Sequence, residues 1–235
     1  FTRWFEPENA RAALAVFAKL GIQVGVAHAD RPLCCGRTWL SEGLVDAARA
    51  EQRRLIDALL PHARAGLPII GLEPSCLFTL KDELAAVIPG EAARSIGARA
   101  MLFEEFLVAA HRDGRIDPAA FSALPQKRAL LHGHCHQKAF GAMGAVEAAL
   151  RLVPGLEVET VASGCCGMAG SFGYAAEHRE MSMAMGELSL LPAMRAAAVD
   201  TLLVADGTSC RAQIRDGAAR AAIHVARVLE RSLGG

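Results

Sequence analysis

The chain has 235 residues, with 25 lysines and arginines balancing 25 aspartates and glutamates and apolar residues making up 52% of the composition. A formal net charge of zero excludes the basic footprint by which nucleic-acid binders hold phosphate, and no uninterrupted apolar run is long enough to be a transmembrane segment. Seven cysteines are odd in number and too sparse for a secreted scaffold stapled by disulfides, so they read as reduced thiols of a cytoplasmic protein, with any membrane association arising through partners.

The sequence opens at Phe1 without a methionine and carries no secretory leader pattern, so it reads as a piece of a longer chain. Glu6-Pro7-Glu8-Asn9 leads into a helical run from Ala10 to Leu20, and Gly21 to His28 alternates in strand fashion. A turn at Asp30-Arg31-Pro32 then delivers Cys34-Cys35-Gly36. A helix is expected from Leu44 to Leu60 and a buried strand over Leu67–Leu72, ending just before Glu73-Pro74-Ser75-Cys76. Helices over Phe78–Val87 and Ala98–His111 complete the first half.

The second half repeats this order. Arg128–His132 reads as a strand with Cys135 just past its end, followed by a helix over Ala139–Leu152. Leu156–Ala162 is the next strand, with Cys165-Cys166-Gly167 beyond it, and a methionine-rich helix runs from Ala175 to Ala193, its methionines expected in the core. Thr201–Ala205 is a further strand, followed by Asp206-Gly207-Thr208-Ser209-Cys210 and a closing helix over Ile223–Leu233.

Alternating strands and helices predict an α/β fold of two pseudo-repeated Rossmann-like units, residues 1–125 and 126–235, with mainly parallel sheets. The strand matching Arg128–His132, and any first-half counterpart of Cys135, are expected upstream of Phe1. Every cysteine falls at the carboxyl end of an expected strand, where an open parallel sheet binds its ligands and helix N-termini favour negative charge. Glycines after both Cys-Cys pairs let the backbone approach a bulky centre and donate amide hydrogens to sulfur.

Cys135, Cys165, Cys166 and Cys210 supply four thiolates, with Cys34, Cys35 and Cys76 as a second or shared set. Four thiolates suit tetrahedral zinc or an iron-sulfur cluster. Structural zinc uses close Cys-x-x-Cys pairs, whereas these cysteines lie on three separate loops, and adjacent cysteines bind more easily to different irons of one cluster than to one small ion. His134 and His136 flank Cys135, pointing the same way; they could ligate metal, tune a cluster or shuttle a proton, and read first as supports that hold its loop. Glu73 and Asp206 sit beside cysteines at corresponding loops, as do Arg37 and Arg211, where they could offset cluster charge, bind a carboxylate or cap the loops.

These segments carry a resemblance. Arg31-Pro32-Leu33-Cys34-Cys35-Gly36-Arg37, Gly71–Cys76, His132–His136, Ser163–Gly173 and Ala205–Cys210 resemble the cysteine-rich CCG-domain family. That family is found in one of the heterodisulfide reductase subunits, in the iron-sulfur subunits of glycolate oxidase and anaerobic glycerol-3-phosphate dehydrogenase, and in lactate utilisation proteins. More narrowly they look like the C-terminal part of large FAD-linked oxidases, D-2-hydroxyacid dehydrogenases of the D-2-hydroxyglutarate type. The resemblance implies an iron-sulfur electron-transfer domain of an oxidoreductase, not catalytic alone, whose partners are flavin and ferredoxin-like domains or subunits. FAD would sit on such a partner, since no dinucleotide fingerprint is present here. The family's fullest pattern ends in Cys-x-x-Cys, but this chain has Cys76-Leu77-Phe78-Thr79 and Cys210-Arg211-Ala212-Gln213. The missing final cysteine favours a single [4Fe-4S] cluster or a mononuclear site over a noncubane double cluster. The alternative is a zinc-binding or metal-free docking domain for a redox complex.

Overall fold

The computed structural model describes residues 1–234, an alternation of helices with short parallel strands. The chain packs as two units: Phe1–Gln23 together with Phe103–Gly235, and Val24–Leu102. Packing and sequence repeat therefore partition the chain differently, because the opening helix α1 (Pro7–Lys19) precedes both repeats of the motif yet folds with the second.

In the smaller unit the expected strand over Gly21–His28 does not form. Val24 and Val26 are 44% and 60% exposed and no strand pairs with them, so the alternating pattern has neither a ladder nor a buried face to stabilise it. Helices α2 (Arg37–Ser41) and α3 (Val45–Arg64) follow; α3 buries Ala48, Gln52, Leu55 and Ile56, the single stripe that a 3.6-residue period sets on one face. Strand β1 (Ile69–Gly71) precedes α4 (Pro74–Lys81), α5 (Glu83–Val87) and α6 (Glu91–Arg99). Strand β2 (Ala100–Leu102) then pairs parallel to β1, with Ile69 opposite Ala100. The run Ala98–His111, expected as one helix, is thus split by a strand, since a short apolar segment fits either period until a neighbour selects one.

The larger unit resumes with α7 (Phe103–Arg112), strand β3 (Arg128–His132), α8 (Cys135–Ala139), α9 (Met143–Leu150) and strand β4 (Glu157–Thr160). It continues with α10 (Arg179–Glu187), α11 (Leu190–Ala196), strand β5 (Leu202–Ala205), α12 (Thr208–Ala218) and α13 (Val225–Ser232). The sheet order is β4-β3-β5, all parallel. Central β3 buries four of its five residues and all four of β5 are buried, the near-continuous apolar runs of strands covered on both faces. Phe17 of α1 packs edge-on against Phe103 and Phe106 of α7, at centroid distances of 5.2 and 5.5 Å.

Two expected helices and one expected loop differ. Ala139–Leu152 breaks at Gly141, whose φ of +69° ends α8 with the left-handed residue that a glycine adopts freely. Ala175–Ala193 divides into α10 and α11, and Met181 is 60% exposed, not in the core. The segment after Asp206, read as a cysteine loop, is instead the helix α12.

Glu104 in α7 is fully buried, and neither of its carboxylate oxygens has a hydrogen-bond partner. Burial, followed by the charge of Asp206, holds its carboxyl well above the ordinary value of 4.5. The folded chain keeps this proton while the unfolded chain ionises at the ordinary value, so stability falls as pH rises from there towards the raised value. Glu104→Gln is expected to raise the melting temperature at pH 7 and to leave it nearly unchanged at pH 4, a difference worth about 1.4 kcal/mol per pH unit across that window. Melting curves showing the same offset at both pH values would contradict this.

Candidate metal centre

From β3 the chain builds β4 on one side and then returns to build β5 on the other. Between β3 and β5 the order of connection reverses, and the carboxyl ends of such a strand pair open a crevice that the flanking loops line. His132, the last residue of β3, pairs with Ala205, the last of β5. Two residues past each strand lie His134 and Gly207, which cap α8 and α12; Cys135 is the first residue of α8 and Cys210 the third of α12. Cys165 and Cys166 enter from the loop that follows β4.

These four cysteines meet. The Sγ atoms of Cys166 and Cys210 are 3.4 Å apart, and hydrogen bonds continue the line from Cys166 to Cys165 and from Cys165 to Cys135. Cys166 and Cys210 are buried against Leu191, Met194, Leu203 and Ile214, whereas Cys135 is exposed. Packed this closely, the thiols cannot all ionise, and they divide alternately. The Cys135 thiol is pushed up by its bond to Cys165 and, the residue being exposed, by only partial desolvation of its sulfur; that of Cys166 is pushed up by its bonds to Cys165 and Cys210. Cys165 is pulled far down by bonds from Cys135 and Cys166 and by the amides of Gly167 and Ala169. Cys210 is pulled well down by Cys166, against the effect of its burial, with His132 and His134 adding to the shift. Thiols held low, Cys165 and Cys210, thus alternate with thiols held high, Cys135 and Cys166, and a soft metal bound by all four would displace their protons.

The surrounding residues fix this arrangement. Gly167 donates its amide to Cys165 Sγ at 3.3 Å with φ +96°, and a Cβ on Gly207 would lie 2.4 Å from the His134 ring. His134 Nδ1 accepts from the His136 amide at 3.1 Å, and Gln137 Oε1 accepts from the His134 amide at 3.0 Å. Gln137 Nε2 in turn donates to Asp206 Oδ2 at 2.8 Å, while Asp206 Oδ1 accepts from the Val225 amide at 3.1 Å. Asp206 thereby ties the end of β5 to the helix that carries Cys135. Potential ligand atoms of His134, Cys135 and His136 lie within 4.8 Å of one another. The Lys138 ammonium donates to the carbonyls of Ser163 and Gly164; burial lowers its pKa, and the four sulfurs partly offset that effect.

In the smaller unit the first motif repeats the device. Gly36, at φ +81°, donates its amide to Cys34 Sγ at 3.4 Å, and Gln52 Nε2 donates to the Cys35 carbonyl at 3.2 Å. Cys76 is the third residue of α4, as Cys210 is of α12, with the buried Glu73 at the capping position. Hydrogen bonding to Cys35, then burial, pushes the Cys34 thiol up. Cys34 pulls Cys35 down, but the bond to Cys76 and burial outweigh it, leaving Cys35 pushed up to about 12. Cys34 and Cys35 do not follow a strand, contrary to expectation, because none forms over residues 24–33.

The two arginines beside cysteines turn elsewhere. Arg37 pairs with Glu83, and Arg211, 6% exposed, pairs with Glu6 while donating to the Ala205 carbonyl at 2.6 Å. The sequence singled out neither His132 nor Lys138 as a site residue. His132 ends a strand two residues before a capping residue, a position facing the crevice by strand alternation, whereas Lys138 carried no signal in the sequence.

Known proteins are similar to this chain over nearly all of its length. The chain is 27% identical over 215 residues to one subunit of anaerobic glycerol-3-phosphate dehydrogenase from Escherichia coli (strain K12), covering 91% of this chain and 52% of that protein. It is 26% identical over 216 residues to D-2-hydroxyglutarate dehydrogenase of the same strain, covering 92% of this chain and 20% of that protein. The match to D-2-hydroxyglutarate dehydrogenase of Pseudomonas putida KT2440 is 27% over 221 residues and again spans 20% of the relative. The chain therefore spans about half the length of the first relative and a fifth of the other two. With the pattern of the CCG cysteine-rich domain matching residues 1–81 and 129–215, which hold every cysteine described above, the chain belongs to that family.

Proposed function

We propose that the larger unit binds an iron-sulfur cluster, [4Fe-4S], through Cys135, Cys165, Cys166 and Cys210, and that it serves as an electron-transfer domain of a flavin-dependent 2-hydroxyacid dehydrogenase. The observation that carries the reading is the meeting, at one strand-end crevice, of four sulfurs carried by the first turns of α8 and α12 and by the loop after β4, with the Gly167 amide turned towards Cys165. The donor set fits a soft, multi-iron group: adjacent Cys165 and Cys166 each have their own neighbour, Cys135 on one side and Cys210 on the other. When bound, the cluster would supply one-electron transfer. The chain's own residues then have separable tasks. Leu191, Met194 and Leu203 keep water from the buried sulfurs, Gly167 and Ala169 donate amides to Cys165, and Lys138 places a positive charge beside the anionic set. Exposed Cys135 marks the edge at which a redox partner approaches, a flavin or ferredoxin-like domain or subunit. Cys34, Cys35 and Cys76 are the candidates for a second site, with Glu73 beside them.

One observation favours zinc as a second reading, because His132, Cys166 and Cys210 place ligand atoms within 4.8 Å of one another, a nitrogen and two sulfurs. Anaerobic reconstitution with iron and sulfide followed by metal and sulfide analysis separates the two. The cluster reading expects on the order of four irons and four sulfides bound by this unit. Stoichiometric zinc without iron or sulfide would reject it in favour of the zinc or docking alternative.

A further inference from the structure

His132 is 1% exposed, and its Nε2 makes no hydrogen bond of ordinary geometry, although the ring lies near enough to Cys210 to help lower that thiol's pKa. A buried ring nitrogen left without such a bond costs about 1–3 kcal/mol, so its surroundings call for an explanation. Those surroundings are sulfur: Nε2 is the ring atom left to face Cys166 and Cys210, whose Sγ atoms lie within 4.8 Å of a His132 nitrogen and 3.4 Å from each other. The other nitrogen, Nδ1, is 2.9 Å from Ser163 Oγ, and the Lys138 ammonium, 3.4 Å from that same oxygen, can only donate to it. Assigning the ring proton to Nδ1, where Ser163 Oγ accepts it, leaves the lone pair on Nε2. This is the arrangement of a metal-bound histidine, whose second nitrogen donates to an oxygen that fixes the tautomer and the ring plane.

We infer that His132 is a direct metal ligand, joining Cys166 and Cys210 through Nε2, so that the centre has mixed nitrogen and sulfur ligation and not thiolates alone. The inference rests on the proposal that the cysteines of this unit bind metal, and deepens it. Metal–sulfur bonds of about 2.3 Å and metal–nitrogen bonds of about 2.0–2.1 Å place ligand atoms roughly 3.5–4 Å apart, a spacing these three reach with sub-ångström shifts. His132 also occupies the end of the central strand, where its register partner on β5 is Ala205. The chain lacks a cysteine three residues past Cys210, where Gln213 stands and donates to Ser182, and the imidazole supplies a further donor beside Cys210. A neutral imidazole adds no negative charge to the ligand set, so it leaves the reduction potential of an iron-sulfur centre higher than a cysteine at the same position would.

The test uses the intact chain with histidine labelled in 15N, in two loaded forms. The form reconstituted with iron and sulfide, once reduced, is read by pulsed electron paramagnetic resonance; the form loaded with zinc alone is read by X-ray absorption. Wild type should show 15N coupling in the first and an imidazole shell in the second. His132→Cys should keep its metal, lose both signatures and have a lower reduction potential, and it guards against misreading a His132→Ala variant that fails to fold. Sulfur-only ligation in wild type, or nitrogen signatures that persist in His132→Cys, overturns the inference while leaving the metal-binding proposal intact. A wild-type chain that binds neither iron nor zinc overturns both.

Discussion

Cys166→Ser is expected to reduce bound metal from stoichiometric to near zero while the chain stays folded. Cys166 is the interior member of the sulfur line, in contact with Cys165 on one side and Cys210 on the other, so its loss removes a ligand and also separates the remaining three. A serine hydroxyl does not ionise near neutral pH and is a hard donor, a poor exchange for a thiolate in holding iron or zinc. Its effect on the fold is smaller. The side chain is 5% exposed among Leu190, Leu191 and Met168, so burying a hydroxyl there costs on the order of 1–3 kcal/mol, while β3, β5 and their helices lose no packing partner. Circular dichroism should match wild type, with a modest fall in melting temperature and metal content at background. Retention of full iron by the variant would exclude Cys166 as a ligand, and collapse of the fold would instead indicate that the metal holds the structure together.

What the sequence disclosed divides along a physical line. Strands Arg128–His132 and Leu202–Ala205 were legible because both faces of a central parallel strand are covered, which leaves an apolar run with turn residues on either side. The cysteines were legible because Cys-Cys-Gly occurs twice and each copy sits on the same backbone device, a glycine at positive φ whose amide reaches the first sulfur. The expected strand at Gly21–His28 had the right alternation, but pairing is supplied by a neighbour and cannot be read from the segment itself. Ala100–Leu102 failed in the opposite sense, a strand of three residues hidden between two helices. Asp206 and His134 were placed beside the site from their positions, yet their connection through Gln137 depends on where two remote loops meet. The choice for Arg211 between offsetting charge and capping a loop was open for the same reason: its partner Glu6 lies 205 residues away in sequence.

Gly167→Ala is expected to damage both stability and metal binding, through backbone geometry alone. At φ +96° an L side chain is strained whatever the space around it, a cost of order 1–3 kcal/mol. Space is also lacking: a Cβ built on Gly167 would lie 2.1 Å from the Ser182 carbonyl oxygen in α10 and 3.0 Å from Gln213 Nε2. Neither neighbour can yield cheaply, because Gln213 donates to that same Ser182 carbonyl at 2.8 Å, which pins α10 to α12. Relief must then come from the loop, and moving it withdraws the Gly167 amide from Cys165 Sγ and shifts Cys166, the next residue towards the centre. A combined loss of about 2–4 kcal/mol follows, read as a lower urea midpoint with an unchanged slope, together with a several-fold weaker retention of reconstituted metal. Gly164→Ala, three residues earlier in the same loop, is the control, since its Cβ would meet nothing within 4 Å and its φ is not positive. That variant should stay within about 0.5 kcal/mol of wild type with full metal content. Equal behaviour of the two variants would show that the glycine of the second motif is not the residue shaping the crevice.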